Sequence, residues 1–372
     1  MPRGCPDARC GGRWSGYQGS VRWEQSWEAS VNIVAPERQD SGVPDRSWCR
    51  TLPILTKVSI VPPILRLLRP ADWVKNVFVL PALVFSFPRM VQDGSDVMAA
   101  AWATAAAVLG FCATASGFYA INDALDAESD RQHPVKCRRP IASGAVSVRT
   151  GLILGVLLPP AAIAVAFGLN TGLGWILLAY GFLQVLYNLG LKRCHGLDVM
   201  ALAGGFTLRA AAGAAAIDRP ISVWLLLEVF FLTLFLAFIK RQCDLQTAKK
   251  SGAQEWKSPA GYHDEHELDW GTGLAGGLAV VVFVMYATSG HARQVLGPGA
   301  EALVFLTPFV ISALLRFHRR AREGASDSPL AALLEDRIMA LSAGSFVLGL
   351  AVLLVVPDLR QALDGLLMTS PE

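Results

Sequence analysis

The chain is short of charge. Only 17% of its 372 residues are Asp, Glu, Lys or Arg, against roughly 25% in a soluble domain. With 53% hydrophobic residues and a mean hydropathy of +0.40, that deficit excludes an ordinary water-soluble globule and calls for a lipid solvent. The formal net charge of +3 is too small for a nucleic-acid binder. The seven cysteines (Cys5, Cys10, Cys49, Cys112, Cys137, Cys194 and Cys243) contain no CxxC pair, so neither a zinc site nor a disulfide framework is indicated. Residues 1–60 lack the apolar core that a signal peptide needs. They mix Gly, Ser and Arg with scattered tryptophans and read as a disordered extension or as the product of a start placed too far upstream.

What the chain has instead is apolar runs of bilayer length, about 20 residues each. Nine are expected, at roughly 72–90, 97–121, 150–169, 172–190, 197–217, 221–239, 272–290, 297–317 and 338–357. Stretches such as Ala100–Ala107 and Ala210–Ala216 are rich in small residues, which allow membrane helices to pack closely. The fold class is therefore all-α and integral to the membrane.

The bases fall in alternate connections. One set carries Arg131, Lys136, Arg138, Arg139 and Arg149; Lys192 and Arg193; Lys240, Arg241, Lys249, Lys250 and Lys257; and Arg316, Arg319, Arg320, Arg322 and Arg337. The other set carries only Arg89, Arg219 and Arg293. Because cytoplasmic loops are enriched in Lys and Arg, the N-terminus is expected inside and the C-terminus outside. The two longest cytoplasmic loops, about 122–149 and 240–271, each follow an apolar helix and hint at an internal duplication.

The first of these loops opens with Asn122, Asp123, Asp126 and Asp130. If the preceding helix runs on, their spacing puts all four on one helical face. Crowded carboxylates repel one another, and a shared hard cation removes that repulsion. Mg²⁺ is the expected one, held by Asp123, Asp126 and Asp130 and by phosphate oxygens of a substrate. Glu128 falls on another face. Next come Arg131, His133, Lys136, Arg138 and Arg139, bases suited to phosphate, although they also serve to orient the chain. In the second loop Lys240, Arg241 and Asp244 are candidates, with a plain Lys240–Asp244 helical ion pair as the alternative. Lys192, Asp198 and Arg209 are further candidates; Asp198 and Arg209 fall inside or at the edge of an apolar span, where an ionisable group is functional by default. Tyr187 is either a phosphate donor or an interfacial anchor.

With these residues in place the chain resembles the UbiA superfamily of intramembrane prenyltransferases, a nine-helix bundle with an NDxxDxxxD signature, here Asn122–Asp130. The likeness runs from about Leu65 to Val356. Aromatic prenyltransferases of that family carry a second Asp-rich motif, whereas here the run that opens the later loop, Lys240–Asp244, offers a single acid, Asp244. The chain looks more like the branch that transfers phosphoribosyl to decaprenyl-type phosphate. That likeness rests on Arg69–Asn76 (including Lys75), His133–Gly144, Tyr187–Lys192, Leu197–Val199, Gly205–Gly213, the Lys240–Arg241 pair and Asp327 through Arg337.

The resemblance implies a phosphoribosyl diphosphate donor, a polyprenyl phosphate acceptor, and a place early on the route to polyprenyl-phosphate arabinose for cell-wall, surface or nodulation-factor glycans. It adds Lys75 and Asn76 to the substrate-binding candidates. It implies a bacterial cytoplasmic membrane with the site facing the cytoplasm. An aromatic prenyltransferase of quinone synthesis is the nearest competing reading, and a lipid-carrier transporter is a distant one.

Overall fold

The computed structural model describes residues 62–132, 136–250, 260–262, 264–297, 299–323 and 329–356, with two short pieces at 358–359 and 362–363. The expectations for residues 1–60, His133, Lys257 and Asp327 lie outside the described residues. Among those described there is no strand.

Among the described residues, eight helical stretches are long and apolar enough to cross a membrane. In chain order, α1 (Pro81–Asp93) is followed by α2 (Val97–Leu125), α3 (Val148–Leu169), α4 (Thr171–Leu189), α5 (Leu197–Ala216), α6 (Val223–Lys250), α7 (Glu265–Ala287), α8 (Thr307–Arg322) and α9 (Arg337–Val355). Helix α8 is entered through a 3-10 stretch, Ala300–Leu306, and the two together make one span.

The expected first crossing is broken, and α1 is not one of the eight spans. A 3-10 segment, Pro70–Val79, leads into α1, with Pro81 in its first turn. Proline has no N–H to continue the hydrogen-bond ladder but suits the first turn of a new helix, so the chain restarts there. Among the described residues, eight continuous spans and one interrupted segment thus stand where hydropathy leads one to expect nine helices.

Helix starts follow local chemistry. Asp96, Ser147, Asn170, Asp264 and Asp336 cap α2, α3, α4, α7 and α9, each side chain accepting from backbone N–H groups of the first turn. Such caps satisfy donors that the helix itself leaves open.

The outer surface is inverted relative to a soluble protein. Trp102 is 71% exposed and Phe182 63%, while Asp123, Asp198, Arg209 and Asn76 are buried. Apolar side chains outside and polar ones inside are what a hydrocarbon solvent selects. The chain is a multi-pass membrane protein.

Two close backbone approaches fix the half of the bundle that carries the first acids. Gly213 of α5 lies under the Val79 carbonyl, where a Cβ would sit only 2.0 Å from that oxygen. Gly117 of α2 faces Pro159 of α3, leaving 2.6 Å for a Cβ. The absence of side chains lets these elements meet.

Helices outrun the hydropathy windows at the polar end. Helix α2 continues past 121 to Leu125, α6 to Lys250, and α7 begins at Glu265. Helix therefore covers 240–250 and 265–271 of the expected loop 240–271. An apolar window measures the hydrocarbon-facing stretch, whereas a helix continues into water for as long as its own ladder and caps support it.

Candidate active site

Because α2 continues to Leu125, Asn122 and Asp123 are helical, and Asp126 sits where α2 ends and a short helix, Ala127–Arg131, begins. The ladder nearly survives the break, since the Asp130 N–H still donates to the Asp126 carbonyl at 2.8 Å. Asp123 and Asp130, seven residues apart, keep a common face and are both buried. They converge on one guanidinium: Arg139 Nη1 lies 2.7 Å from Asp130 Oδ2 and 3.2 Å from Asp123 Oδ1.

A second base comes from before the first crossing. Arg69 Nη2 donates to Asp123 Oδ1 at 2.6 Å, and its guanidinium stacks 4.9 Å above the Tyr119 ring. Of the four residues expected on one face, Asn122 is half-buried and Asp126 is exposed. The four-residue face thus resolves into a sealed pair and two outer groups, because the helix turns at Asp126. Glu128 is exposed and paired with Arg131 at 2.6 Å. Lys136 and Arg138 are exposed beside Arg139.

The fit of this cluster to a divalent cation rests on its donors. Two buried carboxylates share a single guanidinium nitrogen, with a third carboxylate at the adjoining helix break, and all of these are hard oxygen ligands of the kind Mg²⁺ takes. Among the described residues no three acid, His or Cys side chains are already gathered into a cage.

A second cluster forms where α5 begins, between the ends of α4 and α6. Arg241 donates from Nε and Nη2 to Asp198 Oδ2, each at 2.9 Å. The other oxygen of Asp198 accepts from the Tyr262 hydroxyl at 2.7 Å, and that hydroxyl accepts from the Gly196 N–H at 3.0 Å. Burial first, then the bond to Asp198, pushes the Tyr262 phenol above its ordinary range, so it stays a proton donor. Asp244 lies 3.4 Å from Arg241. Tyr187 and Lys192 are half-buried and Lys240 is exposed around this cluster. His195 stacks on Tyr262 at 4.4 Å and contacts Glu267 at 2.5 Å.

A third polar group sits deeper. Arg209 lies twelve residues into α5, about 18 Å along the helix from Leu197 at 1.5 Å per residue. It donates to Asn76 Oδ1 at 2.7 Å, the Gly205 carbonyl at 2.9 Å and the Tyr180 hydroxyl at 2.9 Å. The rings of Phe111, Tyr180 and Phe206 surround its guanidinium at 4.7–5.5 Å. Asn76 in turn donates to Cys112 Sγ at 3.0 Å. Arg209 and Asn76 therefore form a clamp between the 3-10 segment and α5. Lys75, next to Asn76, is exposed and paired with Asp72 at 2.5 Å.

Two site residues escaped the sequence reading. Arg69 stood within a quoted motif, but 54 positions separate it from Asp123 and no periodicity joins them. Tyr262 is a lone tyrosine in a polar loop and gives no signal at all.

The architecture is an all-helical membrane bundle that carries buried acid–base clusters. The UbiA prenyltransferase family model matches residues 78–334, and the chain belongs to that family. A decaprenyl-phosphate phosphoribosyltransferase of Mycolicibacterium smegmatis is 34% identical over 287 residues, 76% of this chain and 89% of that protein. Nodulation protein NoeC of Azorhizobium caulinodans is 28% identical over 241 residues, 64% of this chain and 74% of its own. A UbiA homolog from Archaeoglobus fulgidus, solved bound to GPP and Mg²⁺, superposes with a TM-score of 0.55 at 20% identity, covering 78% of this chain and 99% of that one.

Proposed function

We propose that the protein transfers 5-phosphoribosyl from phosphoribosyl diphosphate to a polyprenyl phosphate, releasing diphosphate. The observation that carries this reading is the second cluster. Its buried acid, Asp198, is spent on Arg241 and Tyr262, Asp244 lies beside Arg241, and Glu267 contacts His195. A half-site whose acids are already paired with bases is suited to phosphate, rather than to a second metal for a prenyl diphosphate. The Mycolicibacterium smegmatis relative, matched over most of both chains, supports the same choice of substrates.

In this reading Asp123 and Asp130, with Asp126 at the helix break, hold Mg²⁺, which supplies positive charge to the departing diphosphate. Asn122 lies on the same turn as Asp123. Lys136, Arg138 and Arg139 at one cluster, and Lys192, Lys240, Arg241 and Tyr187 at the other, bind phosphate oxygens. An acceptor phosphate oxygen forms the new bond to ribose C1 as the bond from C1 to the diphosphate oxygen breaks. The developing cationic ribose resembles that of other glycosyl transfers. The nucleophile is already anionic, so no general base is needed, and the side chains act by positioning and electrostatics. The polyprenyl tail lies among the helices.

The distribution of bases among the loops supports a site on the cytoplasmic face of a bacterial inner membrane. The product would feed polyprenyl-phosphate arabinose and so the arabinosylation of a glycan.

The test is direct. Membranes containing the protein, given ribose-labelled phosphoribosyl diphosphate and decaprenyl phosphate, should put label into an extractable lipid phosphate, and a chelator should stop the transfer. No lipid label in the presence of Mg²⁺ would contradict the proposal.

A further inference from the structure

Asp123 and Asp130 are sealed, but the bases that neutralise them are not. The side chain of Asp123 is 2% exposed and that of Asp130 4%, against 28% for Arg69 and 29% for Arg139. Each guanidinium therefore meets a buried carboxylate while part of its side chain stays exposed, with N–H donors to spare.

Arg69 is held in this place by a built turn. Its backbone is left-handed, φ 51 and ψ 63, a region that non-glycine residues rarely enter, and Pro70 further narrows the choices of the residue before it. The turn persists because its neighbours fix it. The Asp72 N–H donates to the Arg69 carbonyl at 2.9 Å, and the Leu68 carbonyl accepts from Trp73 at 3.2 Å and from Ser116 at 2.7 Å. Strain maintained next to a polar cluster points to function.

We propose that Arg69 and Arg139 are resident counter-cations of the Asp123–Asp130 pair. They release those carboxylates to a divalent cation only when adjacent phosphate groups arrive with it. This rests on the function proposed above and adds the order in which its site is filled. A bare metal ion would have to displace a guanidinium that then has no anion to turn to, and would leave excess positive charge in a confined site. A metal–diphosphate complex brings its own oxygens, so each guanidinium exchanges a carboxylate for a phosphate without losing its charge-assisted bonds. Arg69 is thus a positioning residue that restricts the site to a metal-bound diphosphate ester.

Equilibrium dialysis of the purified full chain against Mn²⁺, with protein-bound metal read by electron paramagnetic resonance, tests this. Wild type should bind Mn²⁺ weakly alone and about tenfold or more tightly with inorganic diphosphate, the worth of a charge-assisted bond. Arg69→Gln should bind Mn²⁺ alone about tenfold more tightly than wild type, with a smaller gain from diphosphate, while Arg69→Lys should stay near wild type. Equal wild-type affinity with and without diphosphate overturns the proposal, and this comparison needs no variant to fold. Unchanged or weaker Mn²⁺ binding by Arg69→Gln also overturns it. The transfer assay on the same wild-type protein separates the two ideas. Transfer with no diphosphate effect on Mn²⁺ removes the exchange alone, whereas the Mn²⁺ pattern without transfer supports the exchange and removes the assigned substrates.

Discussion

At the scale of single residues, the site is a problem of buried charge. A buried acid is tolerated when it is paired and its lone pairs are filled, and Asp123, Asp130 and Asp198 each meet that condition through arginine. Removing one partner leaves the other uncompensated. Asp198→Ala should therefore destabilise the folded protein by about 3–5 kcal/mol, read as a lower midpoint in thermal unfolding in detergent. Arg241→Lys, which keeps the charge but loses the paired donors, should cost less. Asp123→Asn keeps the shape and removes the charge. It should lower transfer by roughly 10²–10³-fold while leaving membrane insertion intact, and full turnover would refute the metal assignment.

Acidity offers a separate check. The Met339 N–H, and after it Arg316, hold the Asp336 carboxyl below its usual range. A depressed folded value means that its contribution to stability is present above the unfolded carboxylate pKa and is lost as pH falls through the folded one. Acid unfolding of the α9 N-terminus below about pH 4 should thus be blunted in Asp336→Asn, as followed by hydrogen exchange at Ile338–Ala340.

At the scale of elements, the interrupted first crossing is the part that sets the geometry. Its 3-10 segment is clamped by Arg209–Asn76 and pressed against α5 at Gly213, and it carries the turn that presents Arg69. Gly213→Ala would drive a methyl group into the Val79 carbonyl, which backbone cannot easily avoid. It should cost at least 1–3 kcal/mol as overpacking and reduce transfer. Gly273→Ala, where nothing lies within 4 Å of the new methyl, should leave both unchanged.

This is also where sequence and structure part. The apolar windows and the Asn122–Asp130 spacing were legible because each depends on neighbours within a few turns or a bilayer thickness. Hydropathy could not register the break at Pro81, since a 3-10 segment followed by a helix is as apolar as one helix. Nor could it place Arg69 against Asp123 or Tyr262 against Asp198, contacts made only by the tertiary path of the chain.

At the scale of the whole molecule, the account requires the acid–base clusters to share one membrane face, since alternate connections carry the bases. Single cysteines placed at Asp126 and Lys240 should both react with an impermeant thiol reagent in inverted vesicles, and neither in sealed right-side-out ones. Opposite labelling of the two would refute the topology.

The central claim concerns which donor the bundle accepts, and a head-to-head assay tests it most directly. The same membranes receive either labelled phosphoribosyl diphosphate with decaprenyl phosphate, or a labelled prenyl diphosphate with an aromatic acid acceptor, at equal Mg²⁺. The account predicts lipid-phosphate product from the first pair only. Prenylated aromatic product from the second pair, with none from the first, would contradict it.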